Sequence, residues 1–228
     1  MKLNLETMNY YFLTCNNEIR KNHILNEFKK FNLIEVNPVM NIKKKKSEAT
    51  GYSRILDLAC INQDKNKPFQ PFTIFDDDVK KFDEFPLEIE IPDDADILYI
   101  GISKAGMNKT TDCPTICSKE INNNIIRIYN MLSTHGFIVC SIRGLLTLQK
   151  CMCESYFNNR ACDIYTAQTQ PYLNVYALKK PLVFQYGKIG GREPETKIDY
   201  INKTDISISK EWINKGNFSI LSMNQTNI

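Results

Sequence analysis

Three consecutive carboxylates, Asp76, Asp77 and Asp78, follow directly on the apolar run Phe72, Thr73, Ile74 and Phe75. Adjacent carboxylates repel one another, and a nearby cation relieves the repulsion. A hard divalent ion, Mg2+ or Mn2+, that serves a pyrophosphate takes only a few protein oxygens and leaves its other positions to phosphate and water. On an extended segment successive side chains alternate, which predicts Asp76 and Asp78 on one side and Asp77 on the other. A solvated acidic turn would leave the same three letters. The four residues before them nevertheless put the triplet at the rim of a sheet, and open α/β sheets bind ligands beyond the carboxyl ends of their strands.

Other nucleotide chemistries fit less well. Residues 72–76 resemble a Walker-B strand, and residues 101–106 (GISKAG) place two glycines after a strand. A P-loop needs Lys and Ser or Thr immediately after its second glycine, and here Met107 and Asn108 intervene before Lys109 and Thr110. The acidic strand also precedes the glycines, which argues against a nucleoside triphosphatase. No G-x-G-x-x-G follows the first strand, so dinucleotide oxidation is disfavoured.

The elements that must hold these residues read as alternating strands and helices. Residues 10–14 (YYFLT) form a β-prone segment, and Asn17 can cap a helix on which Ile24, Leu25, Phe28 and Phe31 recur at helical spacing. With a second strand over 33–36, the opening is a β-α-β unit. Residues 47–63 predict a helix after the basic run 43–46, which reads as a solvated face or as a guide for an anionic ligand. Strands are expected over 72–75, 96–100, 125–129, 137–141, 174–178 and 182–185, and a helix over 143–157. Residues 101–124 read as a long polar loop, and 187–192 as a glycine-rich one. The alternation argues for one layered α/β domain of 228 residues.

Composition narrows the function classes. A formal net charge of +3 gives no support to nucleic-acid binding. No run approaches the roughly 18 apolar residues of a membrane span. With no signal-peptide pattern at the start, the expected location is the cytoplasm, where the sequons at Asn108, Asn202 and Asn217 stay unmodified. The eight cysteines lack zinc-knuckle spacing and are expected to be reduced and mostly buried.

With these residues in place, the chain resembles a glycosyltransferase of the GT-A fold. It is similar to the family 25 type sugar transferases of lipopolysaccharide synthesis and to glycosyltransferases of large DNA viruses, which would put it in host cytoplasm. Residues 10–16 resemble the opening strand and its nucleotide-binding turn. Residues 51–54 (GYSR) resemble a Gly-x-x-Ser-His helix start, with Arg54 in place of His. Residues 73–79 (TIFDDDV) resemble the strand ending in an acidic triplet. Residues 96–101 (DILYIG) and 133–141 (STHGFIVCS) resemble the later "D-hhhh-G" and "H-hhhh-S" strands around the acceptor.

The resemblance covers about residues 8–190. It implies a single GT-A domain with a central mixed sheet flanked by helices. The donor half would span 8–100, the acceptor half 101–195, and a polar extension 196–228. It also implies a nucleotide-diphosphate sugar as donor, most often a UDP-sugar, and a glycan or protein-glycan acceptor. Asp78 would ligate Mn2+ or Mg2+, Asp76 would share the metal or bind ribose, and Asp77 would orient the donor. Thr14, Cys15 and Asn16 would line the base, Arg54 would offset the diphosphate charge, and Arg192 could close over it. An inverting transfer needs a general base near the acceptor hydroxyl. Asp163 is the preferred base, because family 25 type chains carry an Asp after the corresponding helix; it could equally cap a helix. His135 reads either as a satisfied core residue or as an acceptor contact. A nucleotidyltransferase using sugar nucleotides, or a non-catalytic module binding them, are the alternatives.

Overall fold

A computed structural model of the chain describes residues 1–15, 17–103, 106 and 116–189. Its strands are β1 (Lys2–Asn4), β2 (Asn9–Leu13), β3 (Asn32–Val36), β4 (Phe72–Asp76), β5 (Val79–Lys81), β6 (Glu88–Glu90), β7 (Ile97–Tyr99), β8 (Ser118–Glu120), β9 (Ile125–Ile128), β10 (Gly136–Val139), β11 (Val175–Leu178) and β12 (Val183–Gln185). Its α-helices are α1 (Glu18–Glu27), α2 (Lys44–Ile61), α3 (Ile142–Asn158) and α4 (Cys162–Thr169). The fold is mixed α/β, as expected.

Eight strands form one mixed sheet in the order β3-β2-β4-β10-β7-β11-β9-β8. β2 pairs in parallel with β3 on one side and with β4 on the other. The chain therefore leaves β2 through α1 to β3, then crosses back through α2 to β4. Strand order reverses at β2, and a reversal of this kind opens a crevice beyond the carboxyl ends of the two diverging connections. Here those ends are Leu13 and Asp76, which are register partners. β10 runs antiparallel between β4 and β7, so its first residues lie at the same edge.

Alternation along the strands sends side chains into two cores. Tyr11, Leu13, Phe72 and Ile74 pack with Tyr52 and Ile55 of α2, Leu145 and Leu148 of α3, and Tyr165 of α4. Tyr10, Phe12 and Phe75 pack instead with Ile24 of α1, Phe28 and Val79. Burial on both faces accounts for the near-continuous apolar runs of the central strands. α2 lies close on β2: a Cβ at Gly51 would sit 2.2 Å from Leu13 Cδ1.

The two later motifs interlock through antiparallel pairing of β7 and β10. At one end the Ser141 hydroxyl donates to Asp96 Oδ1 at 2.6 Å, and the Asn174 N–H donates to Asp96 Oδ2 at 2.8 Å. Ser141 Oγ also accepts the Gly144 N–H and caps α3. At the other end Gly101 faces His135, where an added Cβ would lie 2.6 Å from the imidazole. Asp96 and Ser141 thus fasten the edge remote from the triplet, and Gly101 and His135 border the edge that carries it.

Several expectations need correcting. The polar stretch 101–124 contains β8, an edge strand that pairs with β9 through Lys119 and Glu120, both exposed as edge residues commonly are. α4 was not foreseen, because its N-cap, Ala161, makes no side-chain cap. The strands β1, β5 and β6 were also unforeseen, whereas β12 falls where a strand was expected. The seven described cysteines are all free, but only Cys140, Cys151 and Cys162 are buried. Asn16, Arg192, most of 101–115 and the extension 196–228 lie outside the described residues. No helix among the described residues is long and apolar enough to cross a membrane.

Candidate active site

β4 ends at Asp76, and Asp77 and Asp78 make the turn into β5. The alternation expected of an extended triplet therefore stops at its first member. Asp76 turns toward α2, where its carboxylate accepts the hydroxyl of the buried Tyr52. Asp77 and Asp78 both meet Arg20 on the first turn of α1. Arg20 Nη1 is 2.9 Å from Asp77 Oδ1, and Nη2 is 3.4 Å from Asp78 Oδ2. The Cys15 N–H donates to Asp77 Oδ2 at 3.4 Å and ties the end of β2 to the same turn.

The turn itself is pinned from two sides. The Tyr186 N–H donates to the Asp78 carbonyl at 2.7 Å, and His23 Nε2 lies 2.8 Å from the Val79 carbonyl. The His23 and Tyr186 rings stack at 5.6 Å. His23 thus holds the turn between α1 and Tyr186.

Charge is poorly compensated here. Burial pushes the Asp76 carboxyl well above the usual carboxylate range, Asp78 adds to the rise, and the Tyr52 hydroxyl opposes it. Burial also raises Asp78, against Arg20, which lowers it, while Asp77 raises it further. Asp78 Oδ1 is buried and makes no hydrogen bond, although Gln185 and the backbone near it favour the ionised form. A cation beside Asp76 and Asp78 would reverse the penalty on both carboxylates.

The donor set suits a hard divalent ion in one respect: the oxygens are carboxylate and one is unsatisfied. Among the described residues no three His, Cys, Asp or Glu side chains converge as a complete metal site. Asp76 and Asp78 are the carboxylates that could contribute to an ion there, with other oxygens completing its shell.

Two further buried oxygens or nitrogens at this edge also lack partners: Thr14 Oγ1, just beyond β2, and His135 Nε2, just before β10. Unsatisfied buried polar atoms are uncommon and call for an explanation. Together with Asp78 Oδ1 they mark one edge of the sheet.

No protein-family model and no curated protein matches the chain. The functional reading therefore rests on its own residues.

His135 sits beside the triplet, and its carbonyl accepts the Asp76 N–H at 3.3 Å. Its Nδ1 is 3.0 Å from Ser133 Oγ. Burial lowers its pKa from 6.5 to about 4, so the imidazole is neutral near pH 7. The unfolded chain takes up a proton through pH 6.5, whereas the folded protein does so only near pH 4. The penalty is absent above pH 6.5 and grows as pH falls to 4, reaching roughly 3 kcal/mol. The stability difference between wild type and His135→Gln should move against wild type by that amount between pH 7.5 and pH 4. Urea denaturation of both proteins across that range measures it, and a difference independent of pH would contradict it. The raised carboxylates have the opposite pH dependence, and they largely cancel in the comparison.

Asp163 stands in the first turn of α4, half-buried, with Oδ1 lacking a partner. Burial raises its carboxyl, opposed by the N–H groups at the helix start and by Lys45. Cys162 beside it is buried against α3, its Sγ 3.3 Å from Ser155 Oγ.

Arg54 is held elsewhere: it is exposed and donates to the Asn37 carbonyl at 2.8 Å. The guanidinium that meets the aspartates is that of Arg20, and the α2 side chain that reaches them is Tyr52. Both were missed. A signal for Tyr52 was present, since a buried phenol needs an acceptor and Tyr52 follows the glycine that draws α2 onto β2. A cleft of about 540 Å³ lies at the opposite edge, between Asn9, Phe72, Asn62 and Gln70. The reversal of strand order and the unsatisfied atoms favour the triplet edge instead.

Proposed function

We propose that the chain is a metal-dependent glycosyltransferase of the GT-A type, which takes a sugar from a nucleotide-diphosphate donor, most often a UDP-sugar, and passes it to a hydroxyl of a glycan. One observation carries this reading: Asp76 and Asp78 stand at the carboxyl end of β4, beside the end of β2, where strand order reverses, and Asp78 there keeps an unsatisfied buried oxygen.

The residues at this edge then take separate roles. Asp76 and Asp78 would hold Mn2+ or Mg2+, which as a Lewis acid stabilises the departing diphosphate. Tyr52 orients Asp76 by donating to it. The backbone at Thr14 and Cys15 borders the nucleotide base, and Asp77 anchors that segment through the Cys15 N–H. Neutral His135 offers Nε2 to a sugar hydroxyl. Asp163 takes the proton of the acceptor hydroxyl as its oxygen bonds to the anomeric carbon and the bond to the diphosphate breaks. The lysines 43–46 support an anionic donor in a further way. Positive charge opens α2 against the helix dipole, and Lys43, as N-cap, makes no side-chain cap. Departures of this kind from local preference are expected near functional sites.

Calorimetry with UDP tests the reading. Affinity should be at least about tenfold higher with Mn2+ than with a chelator, which corresponds to about 1.4 kcal/mol. Equal affinities, or no binding in either condition, would overturn it.

A further inference from the structure

Arg20 bridges two carboxylates that are almost wholly enclosed. The side chains of Asp77 and Asp78 are 4% and 8% exposed, and that of Arg20 19%. Its Nε donates to the Ile189 carbonyl at 3.3 Å, so each of its three nitrogens is engaged. The contact with Asp78 is the longest of the three and uses only Oδ2. Asp78 Oδ1 remains unsatisfied.

A divalent ion bonded to Asp78 would sit about 2.0–2.6 Å from a carboxylate oxygen. The guanidinium already stands 3.4 Å from that carboxylate. Two cations at such a separation inside a poorly solvated corner repel strongly. Arg20, at the third position of α1 on a long side chain, can turn from the carboxylate without moving the helix. A diphosphate arriving with the ion offers the fork a bidentate match that a single carboxylate oxygen does not.

We infer that Arg20 and the divalent ion compete for Asp78, and that metal binding transfers the Arg20 guanidinium from Asp78 to the donor's diphosphate. This rests on the metal-dependent reading above and adds to it an exchange: the positive charge that pairs with Asp78 in the absence of ligand becomes the charge that reads the donor. Arg20 is a positioning residue in the first state and a binding residue in the second.

The two roles give substitutions effects of opposite sign. Mn2+ affinity without nucleotide, measured by the paramagnetic resonance signal of the free ion, should rise about tenfold in Arg20→Gln, where the competing charge is gone. UDP affinity at saturating Mn2+ should fall about tenfold in the same variant, where the diphosphate loses its bidentate partner. Arg20→Lys is the second variant, for use if Arg20→Gln does not fold. A lysine cannot span both carboxylates, so Mn2+ affinity should rise about threefold and UDP affinity should still fall. Circular dichroism melts establish that each variant is folded.

A purely structural clamp would lower both affinities together or change neither, and either result overturns the exchange. If wild type binds UDP in a Mn2+-dependent way and the variants keep its Mn2+ affinity, the exchange alone fails. If wild type takes up no Mn2+ with or without UDP, the metal-dependent reading fails and the exchange with it.

Discussion

Asp78→Asn should abolish Mn2+-dependent UDP binding and reduce sugar transfer by about a thousandfold or more, while the melting temperature stays the same or rises. The two halves of that result come from the same geometry. Asp78 is enclosed, stands beside Asp77, and has one oxygen with no partner, so its ionised form is penalised in the folded protein. An amide of the same shape removes a buried charge and leaves Arg20 its 2.9 Å contact with Asp77. The fold loses little. The ligand loses a hard anionic oxygen, which a carboxamide does not replace for Mg2+ or Mn2+. Calorimetry, initial rates and a thermal melt on the one variant measure all three quantities. Retained metal-dependent affinity, or a loss that merely follows unfolding, would contradict the assignment.

Asp163→Asn should leave UDP affinity unchanged and lower kcat by about 10²–10⁴-fold, the range for loss of a general base. Burial raises the Asp163 carboxyl, so the acidic limb of the wild-type kcat profile should lie above the ordinary carboxylate range, and the variant should lose that limb. His135→Gln separates the roles. With its imidazole neutral throughout the working range, His135 should influence acceptor KM and leave the acidic limb in place. If His135→Gln removes the limb and Asp163→Asn does not, the base is His135.

The backbone of this site was more legible in the sequence than its side-chain partners were. Asn17 caps α1 as its position implied, and β2, β3 and β4 follow their apolar runs to within a residue. The triplet lies at a sheet edge because four buried residues precede it. Which basic residue would face it was not legible. Arg20 and Arg54 both lie on helices that flank β2, and the packing of those helices decides that one reaches Asp77 while the other reaches the Asn37 carbonyl. The reversal of strand order at β2, and the antiparallel β10 that brings His135 beside Asp76, are long-range pairings with no local pattern. The three-residue strands β1, β5 and β6 are too short for alternation to register. β5 nevertheless matters, because its pairing with β12 brings the Tyr186 N–H to the Asp78 carbonyl.

The most direct measurement is anomalous diffraction at the manganese edge from a crystal grown with Mn2+ and UDP. The account predicts a single strong peak bonded to the Asp78 carboxylate and to a diphosphate oxygen, with Arg20 turned from Asp78 toward the phosphates. A diphosphate bound elsewhere, or one held at the β4 edge without an ion at Asp78, would contradict it.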